Sequence, residues 1–180
     1  YCDGARNEAE AVQVEEARNL VRNWPHPQKT IIERDRNWGL ANSIIAGVTE
    51  LCERYGKVIV VEDDLIVSSV FLQYLNAALE HYVNEPQVMK ISAHMFPVSI
   101  ESEYDAVMMP FTTSWGWATW DRAWKFFDPN MSGYEKVKSD RTLRRKFDID
   151  GAYPYFRMLK RQAEAKVDSW AIRWNLSVFL

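Results

Sequence analysis

Three observations predict an α/β fold with a mostly parallel central sheet flanked by helices. Helical and extended patterns alternate along the first half of the chain with short connections between them, the order that builds βαβ units. The stretch "KVIVVE" at 57–62 is continuously apolar between its first and last residues, as a strand covered on both faces must be. Three strand ends are acidic or polar, at Asp3, at 33–37 and at 62–64, and parallel sheets bind ligands at the carboxyl ends of their strands.

The elements follow in order. "YCDG" reads as the last residues of a strand and its turn, with only Tyr1 and Cys2 left of a strand that should hold roughly five residues. "NEAEAVQVEEARNLVRN" places Ala9, Val12, Ala17, Leu20 and Val21 at helical spacing, and Trp24-Pro25-His26-Pro27 ends it. "KTIIE" is a short strand. "GLANSIIAGVTELCERYG" is a helix whose stripe is Leu40, Ile44, Ile45, Val48, Leu51 and Cys52, with Gly56 where a C-terminal cap belongs. After "KVIVVE", Ser68 or Ser69 is suited to cap the helix "SVFLQYLNAALEHYV", and "QVMKISA" is a further strand.

Beyond Val98 the rhythm changes. "SIESEYDAVMMPF" suggests a loop and then a strand, "TTSWGWATWDRAWKFFD" an aromatic segment turning at Gly116, and "YEKVKSDRTLRRKF" a basic helix with a solvated face. "SWAIRWNLSVFL" is a helical pattern without a stop signal. Both ends therefore read as cut, giving one domain over 1–180 with a nucleotide-binding half at 1–97 and an acceptor-side half at 98–180. A sheet missing its first strand exposes a flank that invites pairing between chains, so a homodimer is expected of such a truncated form.

Composition narrows the function. The 180 residues suffice for a real core, and a formal net charge of -3 removes the electrostatic case for nucleic acid as a main partner. No apolar run reaches the roughly 18 residues of a membrane span. Cys2 and Cys52 lack metal-type spacing; two apolar-flanked thiols read as reduced, as in a cytoplasmic protein, with a disulfide as the alternative. Six of the 8 tryptophans lie between Trp115 and Trp174, where they serve either as core filler or as platforms for sugar rings.

Glu62, Asp63 and Asp64 stand side by side at the end of a buried strand. Adjacent carboxylates repel and none belongs in a core, so a positive partner is expected there. "VIVVEDD" resembles the first strand of a phosphoryl-accepting receiver domain, but 57 residues of patterned sequence precede Val58, "DAVMMP" is one residue too long before Met-Met-Pro, and the downstream Lys-Pro pair is missing. The other resemblance covers nearly the whole chain. "EDD" resembles the DxD signature, "RNWGLANSIIAGV" an Asn-x-Gly-x-Ala segment, "TSWGWATWDRAW" an aromatic segment, and "VDSWAIRW" an acidic-Trp segment, all in the order found in glycosyltransferases of the GT-A (Rossmann-like) fold. The match is close to inverting enzymes of the N-acetylglucosaminyltransferase I kind and to bacterial family 2-like sugar transferases of polysaccharide biosynthesis.

That resemblance implies roles residue by residue. Asp64 would ligate a divalent metal, manganese or magnesium, with donor phosphates supplying further oxygens; hard cations take oxygen ligands. Glu62 and Asp63 would bind ribose or donor-sugar hydroxyls. Asp3 would contact a uracil-type base, the plain alternative being a turn aspartate before glycine. Asn37, with Arg36, would touch base or diphosphate. Trp115, Gly116 and Trp117 would shape the donor or acceptor pocket, with core packing as the alternative, and Trp170 and Trp174 could belong to the same wall. His94 reads as structural. Asp168 would be the general base, with helix capping as its alternative and Asp121 in reserve. The implied reaction moves a sugar, with inversion, from a nucleotide-sugar donor, a UDP-sugar first of all, to a glycan or lipid-linked acceptor. The implied location is cytoplasmic, peripheral to a membrane. A non-catalytic nucleotide- or glycan-binding module is the alternative from another class.

Overall fold

The computed structural model describes residues 1–99, 101, 103–104 and 106–180. The chain divides into two compact units, 1–47 and 48–180.

In the first unit, helix α1 spans Glu8–Asn23 and is capped by Asn7, whose side chain accepts from the Glu10 amide at 3.1 Å. Its apolar stripe stays uncovered: no residue of α1 is buried. "KTIIE" does not extend into a strand; Cys2 and Glu33 form an isolated parallel bridge, with the Cys2 amide donating to the Ile32 carbonyl and the Arg34 amide to that of Cys2. Arg18 ties this bridge to its surroundings by donating to the carbonyls of Asp3 and Arg34. Gly4 is required where it stands, because a Cβ there would meet the Arg36 backbone at 2.3 Å. Helix α2, Leu40–Tyr55, begins in this unit and continues into the next.

In the second unit α2 buries Val48 and Cys52, while burial and nearby acids push the Cys52 thiol up to about 12. Cys2 and Cys52 are both free thiols. Gly56 closes α2 as its pattern predicts, with a φ of +75° and an amide donating to the Cys52 carbonyl at 2.7 Å. Strand β1 (Lys57–Val60) follows, then α3 (Phe71–His81) and the two-residue strand β2 (Ile91–Ser92). Neither Ser68 nor Ser69 caps α3 through its side chain; the cap position is Val70.

The expected mostly parallel central sheet is not what the chain forms. The sheet has three strands in the order β1-β3-β2, where β3 is Trp117–Trp120, and both pairings are antiparallel. A GT-A architecture with its large parallel sheet is thereby contradicted, and helices dominate the described chain. The cause lies in "WATW", read above as part of an aromatic turn. It is the middle strand, buried at all four positions. It takes the hydrogen-bonding edge that a direct β1–β2 pairing would have used, so those two strands run the same way but never meet. The strand expected at the end of "SIESEYDAVMMPF" is also absent over 106–111, while Ile100, Ser102 and Asp105 lie outside the described residues.

After β3 the chain is helical: α4 (Asp121–Trp124), α5 (Tyr134–Ser139), α6 (Arg141–Phe147), a 3-10 turn at Ile149–Gly151, α7 (Tyr155–Ala163) and α8 (Trp170–Phe179). The single basic helix expected over 134–147 is two, because Asp140 leaves helical geometry and caps α6 by accepting from the Thr142 and Leu143 amides.

Apolar clusters among the described residues hold the unit. One packs Phe71, Leu75 and Leu79 of α3 against Ile91, Ala118 and Trp120 of the sheet. Another joins Val137, Phe147, Leu159, Ile172 and Leu176 from α5 to α8. Indoles fill the space beside β3. Trp117 stacks on Trp170 at 5.1 Å between centroids, Trp124 lies 5.0 Å from Trp174, and Trp124 stacks on Phe127 at 4.6 Å. Arg122 closes the far end of α3, donating to the Tyr82 and Val83 carbonyls while lying over the Trp120 ring.

No helix among the described residues is long and apolar enough to cross a membrane. Trp117→Ala is expected to cost about 3–5 kcal/mol, the range for deleting a large buried aromatic. A urea titration followed by circular dichroism measures this directly, and a cost under about 1 kcal/mol would show that the stack contributes little.

Candidate functional site

The register of the sheet decides what meets at the acidic strand end. Val60 pairs with Trp117, and Ser92 pairs with the same residue from the other side. The chain leaving β1 at 61–64, the chain leaving β2 at 93–94 and the chain entering β3 at 115–116 therefore emerge together from one end of the sheet. Asp121 follows Trp120, which pairs with Lys57. Three strand steps, about 10 Å, place it toward the opposite end, and it is the least suited of the carboxylates to act with 62–64.

The three carboxylates are not equivalent. Asp63 and Asp64 sit in an exposed turn, and among the described residues neither side chain has a hydrogen bond or ion pair. Glu62 is half-buried; burial first, then the charges of Asp64 and Asp63, push its carboxyl above the usual range, and Lys90 pulls the other way. No cation among the described residues lies within ion-pair distance of the triad; Lys90 acts on Glu62 only from farther off. Lys90 immediately precedes β2, and burial pushes its amine well below the ordinary lysine range. The amine donates to the Thr113 carbonyl and lies 4.2 Å from the centroid of the Trp117 ring and 5.6 Å from that of Trp170.

The aromatic candidates separate by burial. Trp117 is wholly buried, a core residue that can shape a pocket only from behind. Trp115 is half-exposed, with its ring edge-to-face with that of His94 at 4.6 Å. Gly116 sits at a φ of +61°, and a Cβ on it would meet the Phe71 ring at 2.7 Å, so the turn into β3 needs glycine on both counts. Trp170 and Trp174 belong to the buried indole group. His94 keeps Nε2 buried and without a partner among the described residues.

Asp168 precedes α8, but Ser169 rather than Asp168 caps it, accepting from the Ile172 amide. The Asp168 carboxylate instead takes a 2.6 Å bond from the Arg173 guanidinium, using one oxygen. Arg173 is 10% exposed at its side chain and Asp168 60%. Through Trp170, two residues on, this segment is tied to Trp117 and Lys90.

Asp3 and Asn37 belong to the first unit and have local work there. The Asp3 carboxylate accepts from the amides of Gly4, Trp38 and Gly39, tying the first strand end to the approach to α2. The Asn37 amide donates to the Gly4 carbonyl at 2.8 Å. Arg36 is exposed and presses its backbone on Gly4.

Among the described residues no three His, Cys, Asp or Glu side chains are grouped to hold an ion. Asp63 and Asp64 are both uncommitted; one such carboxylate, Asp64 by its place in the motif, would suit a metal that takes its remaining oxygens from a bound diphosphate, and hard cations accept such a set. Sequence reasoning missed Lys90 and Arg173. Each had a signal: a lysine inside the apolar "VMKIS" and an arginine inside the aromatic "WAIRW". Comparison of the chain with protein-family models, curated proteins and solved structures gives no match.

The raised Glu62 carboxyl sets a pH dependence. Its folded form holds a proton more tightly than the unfolded chain does, so the favourable contribution is complete below the unfolded value, roughly 4.3, and is lost as pH rises through the folded one. Glu62→Gln removes that loss. Its melting temperature should match wild type near pH 4 and exceed it increasingly toward pH 7; a constant difference across that range would contradict the assignment.

Proposed function

We propose that this chain is a metal-dependent glycosyltransferase. It would transfer a sugar, with inversion, from a nucleotide-diphosphate donor, a UDP-sugar first of all, to a glycan or lipid-linked acceptor. The observation that carries the reading is the division of labour at the strand end: Glu62 is half-buried, while Asp63 and Asp64 are left exposed and uncommitted at the sheet end that Trp115 and Gly116 also adjoin. A nucleotide diphosphate carries concentrated charge and departs as an anion, and a divalent cation held by Asp64 would neutralise it there. Asp63 would take a ribose or sugar hydroxyl. The reading assigns donor binding to 1–97 and acceptor handling to 98–180, and carries with it a cytoplasmic location peripheral to a membrane.

In this reading Asp168 accepts the acceptor's proton as the hydroxyl attacks the anomeric carbon from the face opposite the diphosphate. Arg173 holds one carboxylate oxygen and leaves the other for the proton. The same contact favours a second reading, a nucleotide- or glycan-binding module without turnover, because a carboxylate held by a nearly buried arginine is also a sufficient structural element.

Two substitutions test this in the full-length protein. Asp64→Ala should abolish manganese-dependent binding of UDP-sugar in calorimetry and Asp64→Asn should weaken it severely, since a neutral amide is a poorer ligand for a hard cation; undiminished affinity in Asp64→Ala would remove the metal site. Asp168→Asn should lower turnover roughly a hundredfold or more with donor affinity unchanged. It should also lower the melting temperature modestly, because Arg173 loses its countercharge. Turnover that survives in Asp168→Asn would leave Asp168 a purely structural partner of Arg173.

A further inference from the structure

Lys90 is the residue that packing explains least. It stands between Met89 and Ile91 in an apolar segment, and its amine ends against the Trp117 and Trp170 rings. Lys90 is half-buried; an amine held against two indoles loses hydration and is costly unless paired, and among the described residues no carboxylate lies within ion-pair distance of it; Glu62 acts only from farther off. Methionine, of similar length and polarizable enough to favour the same rings, would fill that space without the cost. The amine also has donors to spare. The neutral form carries two N–H bonds and the ammonium three, whereas the Thr113 carbonyl is the one acceptor it bonds among the described residues. Lys90 lines a cleft of about 950 Å³ together with Ser92, His94 and Thr113, and His94 in turn packs on Trp115 at the sheet end that carries the acidic triad.

We propose that Lys90 is a substrate-binding residue, its spare N–H donating to an oxygen of the donor held at the acidic strand end, while Trp117 and Trp170 fix the amine in place. The inference rests on the glycosyltransferase reading above and adds a contact to it. The oxygen belongs either to the diphosphate or to the transferred sugar, and the chemistry at the amine is the same for both.

Calorimetry on the full-length protein with manganese, using UDP and UDP-N-acetylglucosamine as probes, separates these cases. Lys90→Met should weaken UDP-N-acetylglucosamine by roughly tenfold or more, with a melting temperature equal to or above that of wild type, because a desolvated amine has been removed. An equal loss with UDP assigns the contact to the diphosphate, and a loss confined to the sugar nucleotide assigns it to the sugar. Lys90→Arg should recover part of the affinity if the larger head fits between the rings. Should Lys90→Met fail to fold, acetic anhydride labelling of wild type read by peptide mass spectrometry replaces it: the sugar nucleotide with manganese should slow labelling of Lys90 severalfold. Wild-type affinity in Lys90→Met, or labelling that the ligand does not slow, would overturn this inference alone. A wild-type protein that binds neither probe would overturn it together with the proposed function.

Discussion

The second unit depends on the antiparallel insertion of Trp117–Trp120 between β1 and β2. A strand in that place has both hydrogen-bonding edges paired, and packing on both faces buries all four of its residues, so its aromatic content becomes core. Trp120 seals the sheet against α3, where its indole donates to the Leu79 carbonyl, and Trp117 seals it against α8 through Trp170. The same insertion fixes which loops share an end of the sheet. It delivers 61–64, 93–94 and 115–116 to one end and carries Asp121 toward the other.

Around that end, charge is arranged by burial. Three adjacent carboxylates cannot all be satisfied in one environment. The chain half-buries Glu62, where Lys90 partly offsets its charge from farther off, and leaves Asp63 and Asp64 in water. The inner pair is electrostatically strained on both sides, since burial raises the acid and lowers the amine. A chain selected for stability alone would do better with apolar residues at both positions. Keeping them is the physical argument for a ligand at this place. Asp168 and Arg173 repeat the pattern on a smaller scale, an exposed acid held by a nearly buried cation at the start of a buried helix.

The helices were the most legible part of the sequence. Helices α1, α2, α3 and α8 form where their patterns predict them, and Gly56 ends α2 as its position suggests. Strand partnership was not legible. "KVIVVE" announces a buried strand but does not say that its neighbour comes from "WATW", about sixty residues later, and two small residues flanked by tryptophans carry no alternation to mark them as a strand. "KTIIE" shows the converse, with good strand residues that find one bridge only. At the site, the acidic triad was legible because three carboxylates after an apolar run violate burial on sight. The committed state of Asp3 was hidden, because its three backbone donors come from 4, 38 and 39 and only the fold brings the last two to it. Lys90 was hidden for the opposite reason: one lysine inside a strand is easily read as an edge position, and only its packing against two indoles makes it conspicuous.

The central claim is that a divalent metal and a nucleotide diphosphate bind together where β1 ends. Manganese is paramagnetic, so an amide spectrum of the isotopically labelled protein with UDP reports its position directly. Substoichiometric manganese should broaden the signals of 62–64 first, then those of 93–94 and 115–117, and should leave those of α4 from Asp121 onward sharp. Broadening that appears without UDP at scattered surface acids, or that spares 62–64 when UDP is present, would contradict the account.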